Sequence, residues 1–67
     1  MTAEDLLIEL RSSRTDLARL VEAATRDRIT RLVVPQRSVD AWEQREPETW
    51  TKVRVWLAAR GITVFSF

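Results

Sequence analysis

The side chains that most often carry chemistry are missing from this sequence, which has no histidine and no cysteine. The common general base and the thiolate nucleophile are therefore both absent. So are the ligands of an ordinary zinc site. Carboxylates remain: Asp5 with Glu9, and Asp40 with Glu43, are spaced about one helical turn apart. Such a pair holds Mg²⁺ only with further oxygen ligands, and no motif supplies them. The bland reading, solvated helix faces, is preferred. The one glycine, Gly61, cannot make a phosphate-cradling loop. A Ser or Thr nucleophile finds no base. The expectation is a chain that is not an enzyme, with no metal, no cofactor and no small-molecule substrate.

What is left is recognition. Three tryptophans stand in 67 residues. Trp50 and Trp56 fall on or beside the packing face of a helix, where a buried aromatic contributes large apolar area. Trp42 lies in a polar stretch, and either closes the core or anchors an interface. Val55 falls off the core arc, beside Lys52, Arg54 and Trp56, as a candidate docking patch. Phe65 and Phe67 close the chain. The candidate partner-binding residues are thus Trp42, Val55, Trp56, Phe65 and Phe67. Ile8 also points away from its helix's apolar side and reads as a lone exposed residue or a contact point.

Net charge is only +1, but it is unevenly spread. Residues 26–37 hold four Arg and one Asp, whereas residues 38–48 hold four acids and one Arg. Residues 49–67 hold Lys52, Arg54 and Arg60 and no acid. The Arg26, Arg28, Arg31 and Arg37 cluster suits an anionic partner. Asp40, Glu43, Glu46 and Glu48 suit a nucleic-acid-binding partner by phosphate mimicry, or else form a solvated turn.

These residues need a scaffold. A chain of this length is one domain and buries only about 60% of its unfolded surface. Without disulfide or metal, the remaining staples are oligomerisation and partner binding. The lack of cysteine fits the cytoplasm. No apolar run reaches the ~20 residues of a membrane span, and the acidic N-terminus lacks the layout of a signal peptide.

Leu6, Leu7, Leu10, Leu17, Leu20, Val21 and Ala24 fall on one helical arc. That phase favours one amphipathic helix over Ala3 to Thr25, capped by Thr2, although Ser13 and Asp16 offer a second cap. Glu22 and Arg26 have the spacing of a helical ion pair. Residues 29–34 are β-branched and closed by Pro35, which predicts a strand. The unbroken Leu32-Val33-Val34 run predicts burial on both faces. A short helix over 36–46 is capped by Ser38. Pro47 opens the last helix, which ends near Arg60 with Gly61 as a left-handed cap. Residues 62–67 alternate as a strand. The fold class is therefore α/β: a long N-terminal helix, then a β-α-β unit with a two-stranded parallel sheet. Such a sheet has two open edges.

The stretch from Val34 to Pro47, with Ser38-Val39 followed by Trp42-Glu43, resembles the recognition-helix region of phage-repressor-type helix-turn-helix proteins. The resemblance covers residues 34–58. It implies a preceding helix over 27–33, Gln36, Arg37 and Ser38 facing bases or phosphates, and Trp42 in the core. With Arg28 and Arg31 contributing phosphate contacts, it implies a DNA-binding regulator.

The preferred expectation is a stoichiometric protein-binding module: an inhibitor, antitoxin or adaptor of the kind encoded by phages and mobile elements. It engages a protein partner or forms a homodimer through the terminal strand. DNA binding is the alternative.

Overall fold

The computed structural model describes residues 2–67 and has the order α1 (Ala3–Ser12), α2 (Leu17–Asp27), β1 (Arg31–Val34), α3 (Gln36–Arg45), α4 (Pro47–Ala59), β2 (Thr63–Ser66). The helix-first α/β architecture and the two-stranded parallel sheet are as expected. The Thr2 hydroxyl caps α1 by accepting from the Asp5 amide at 3.2 Å, and Glu4 and Asp5 sit at the positive end of the helix.

The single long helix is a correction. The chain turns at 13–16 instead. A straight helix over 3–25 would be about 35 Å long, whereas the longest dimension of the molecule is 26 Å. The turn is a Schellman motif. Arg14 is left-handed at φ 54°; its amide donates to the Arg11 carbonyl, and that of Thr15 to the Leu10 carbonyl. Folding back lets Leu6 and Leu10 of α1 share a core with Leu17, Leu20, Val21 and Ala24 of α2. The turn also redirects the expected Glu22–Arg26 pair. Glu22 accepts from Arg11 across the turn, and Arg26 contacts Asp27.

β1 is shorter than its predicted range and pairs with β2 in the register Arg31–Thr63, Leu32–Val64, Val33–Phe65 and Val34–Ser66. The expectation that Leu32-Val33-Val34 is buried on both faces is also corrected. Val34 is buried and Leu32 partly so, but Val33 is exposed. Helices cover only one face of the sheet.

Ser38 does not cap α3. Pro35 is the N-cap residue, and the first helical amide, that of Gln36, donates to the Phe67 carbonyl at 2.8 Å. The end of β2 thus supplies an acceptor that a capping side chain would otherwise provide. Glu46 alone separates α3 from α4, and Pro47 opens α4 where its missing N–H costs nothing. A second Schellman motif ends α4. Gly61 has φ 73°; its amide donates to Ala58, and the Ile62 amide to Leu57. Leu57 and Ile62 are both buried, so the cap also feeds the core.

Candidate partner-binding surface

Two of the five candidate contact residues lie in the core. Trp42 is only 7% exposed. Its indole Nε1–H donates to the Asp16 carboxylate at 2.9 Å, and its ring lies 4.9 Å from that of Trp50 at 35°. Asp16 is the N-cap residue of α2, yet makes no side-chain cap bond; its carboxylate binds Trp42 instead. The open choice for Trp42 is thereby decided towards the core. Trp56 is also buried, with the Arg60 guanidinium 4.9 Å from its ring centroid. That cation–π contact uses Trp56 within the molecule.

The other three candidates are exposed: Val55 at 65%, Phe65 at 48% and Phe67 at 75%. Val55 lies on α4, and the two phenylalanines lie at β2 and its end. Alternation puts Phe65 and Phe67 on the outer face of the sheet. Val33, 59% exposed, joins them as the register partner of Phe65. Nothing in the sequence singled out Val33, because its neighbour is 32 residues away. Arg31 and Thr63 continue the same face. Ile8 is exposed on α1, a different element.

The residues named for nucleic-acid contact are spread over several elements. Arg28 is left-handed at the end of α2, at φ 49°. Arg31 begins β1. Gln36, Arg37 and Ser38 form the first turn of α3. Arg28, Arg31 and Arg37 are exposed, whereas Ser38 is partly buried. The Gln36 side chain donates to Asp40 at 2.9 Å. Residues 27–33, which the helix-turn-helix resemblance needs as a helix, hold the end of α2, a loop and the start of β1.

Lys52 of α4 donates to Glu9 of α1 at 2.6 Å. That hydrogen bond, with the charge of Glu9, holds the lysine above its ordinary pKa of 10.5. Among the described residues, no three acids come together as a metal-binding group, and no helix is long and apolar enough to cross a membrane. Comparisons with protein-family models, curated proteins and solved structures find no match to this chain.

Proposed function

We propose that this chain is a non-catalytic module that binds another protein stoichiometrically, in the manner of an inhibitor, antitoxin or assembly adaptor acting in the cytoplasm. One observation carries the reading: Val33, Phe65 and Phe67 share the uncovered face of the sheet. Burying one such side chain is worth roughly 1.5–3 kcal/mol. A small domain gains by leaving three of them in water only if something else covers them. The core tryptophans support the face by fixing the helices behind it.

The test is site-resolved. A photo-crosslinking phenylalanine analogue is placed at position 65 or 67, and at position 8 as a control, in cells that make the protein. The expected outcome is a discrete protein adduct from 65 and 67, absent from 8. Equal labelling at all three positions, or none, sinks the reading.

A second reading, DNA binding, is favoured by the exposed Arg28, Arg31 and Arg37, which make no ion pairs among the described residues. It requires affinity for duplex DNA that falls steeply with salt and weakens on Arg37→Ala. No mobility shift at low salt would rule it out.

A further inference from the structure

Beside the exposed face, β2 borders a trough. One stretch, about 690 Å³, lies between Thr51, Arg54, Val55 and Ala58 of α4 and the start of β2 at Thr63 and Val64. The next, about 300 Å³, runs past Val39 and Glu43 of α3 and Arg54 to Val64 and Ser66. Arg54 and Val64 line both stretches, which meet beside Val64, with Thr63 at one end and Ser66 at the other. No β1 residue lines either stretch. The trough therefore lies along the edge of β2 that faces away from β1.

That edge has free backbone groups. In a parallel pair, alternate residues of each strand bond to the partner. The Thr63 amide donates to Thr30 and that of Phe67 to Val34. The intervening Val64 and Ser66 therefore direct their amides and carbonyls away from β1, towards the trough. Such an edge is a template for another strand.

Charge selects the occupant. Residues 49–67 hold three cations and no acid. Lys52 is paired with Glu9, and Arg60 lies over Trp56. Arg54 is exposed and makes no ion pair among the described residues. Glu43 is the one acid among the described residues that line the trough, at its Ser66 end. A second copy fits poorly. Two β2 edges related by a two-fold axis pair antiparallel, and β2 itself carries no acid to meet the Arg54 of the other copy.

We infer that the free edge of β2 accepts an extended segment of a different protein, with an Asp or Glu side chain reaching Arg54. The inference rests on the protein-binding reading above and specifies its geometry. The added strand bonds the backbone of Val64 and Ser66. Its alternate side chains enter the trough, and the others extend the apolar face beside Phe65.

The probe is a phage-displayed library of random peptides about nine residues long, roughly twice the length of β2, selected against the full chain. Amide exchange by NMR then locates the selected peptides. The expected result is alternating apolar sequences with one acid, protecting the Val64 and Ser66 amides. Affinity should drop about tenfold when the full chain is synthesised with an N-methylated Val64 amide, which removes an edge donor. Arg54→Glu should weaken binding and select peptides with a basic residue instead. Peptides that perturb only Val33, Phe65 and Phe67 would overturn the edge site and leave the protein-binding reading standing. Concentration-dependent protection of Val64 and Ser66 without peptide would overturn it in favour of a second copy. Failure to select any peptide would overturn it as well.

Discussion

Two tryptophans whose rings lie tilted against one another have opposite polar fates. Trp42 places its Nε1–H on the Asp16 carboxylate, whereas the buried Nε1 of Trp50 has no partner among the described residues. A buried, unsatisfied donor costs about 1–3 kcal/mol. Trp50→Phe therefore loses packing but removes an orphan. Trp42→Phe loses packing and a charge-assisted bond. Chemical denaturation should find Trp42→Phe the more destabilising, by about 1–2 kcal/mol; the reverse order would contradict this assignment. The left-handed positions give a second contrast. A Cβ at Gly61 meets nothing within 4 Å, so Gly61→Ala should cost only the backbone strain of positive φ, about 1–2 kcal/mol. Arg14→Gly should do the opposite and stabilise by up to about 1 kcal/mol, once glycine's greater unfolded freedom is subtracted. Thermal melts of the two variants check both signs. The Gly61 cap was legible in the sequence because glycine announces a left-handed residue. The Arg14 cap was not, because arginine announces nothing of the kind.

At the scale of elements, α1 is tied to α2 by Arg11–Glu22 and to α4 by Lys52–Glu9. Both pairs are exposed, so salt should weaken them. The lysine's pKa is raised on folding, so its contribution is present below 10.5 and is lost as pH rises through the folded value. The stability difference between the native chain and Lys52→Met should therefore be constant near neutrality and shrink in alkali. A difference that grows with alkaline pH would contradict the pairing. These contacts were invisible in the sequence, since Glu9 and Lys52 are 43 residues apart. The ends of α4 were legible: Pro47, Arg60 and Gly61 act through the backbone within one turn. The one-helix expectation for 3–25 failed for a related reason. Two helices packed on a shared core keep the same leucine spacing as one helix, so periodicity did not distinguish them.

The whole molecule separates a core that holds it together from a surface that does not. Leu57 is fully buried and belongs both to the α4 cap and to the core. Leu57→Ala should cost about 2–5 kcal/mol, a large part of the stability of so small a domain. The double change Phe65→Ser and Phe67→Ser removes far more apolar surface area but touches only exposed positions. It should leave the midpoint of thermal unfolding nearly unchanged while abolishing the crosslinks proposed for 65 and 67. A large loss of stability would mean that these rings pack against the protein rather than wait for a partner.

Taken alone, the sequence determined the α/β class, the parallel strand pair and the positions of the last helix and strand. Those follow from caps, prolines, glycine and short-range periodicity, which act over a few residues. It also settled that no histidine or cysteine side chain is present, which no fold can change. Tertiary structure decided the rest: the turn at 13–16, the burial of Trp42 on Asp16, the exposure of Val33 opposite Phe65 and the trough beside β2. Each depends on residues far apart in sequence that packing brings together. Exposure is a property of what packing leaves uncovered, and Val33 and Phe65 stay exposed while Val34, pointing to the opposite face, joins the core.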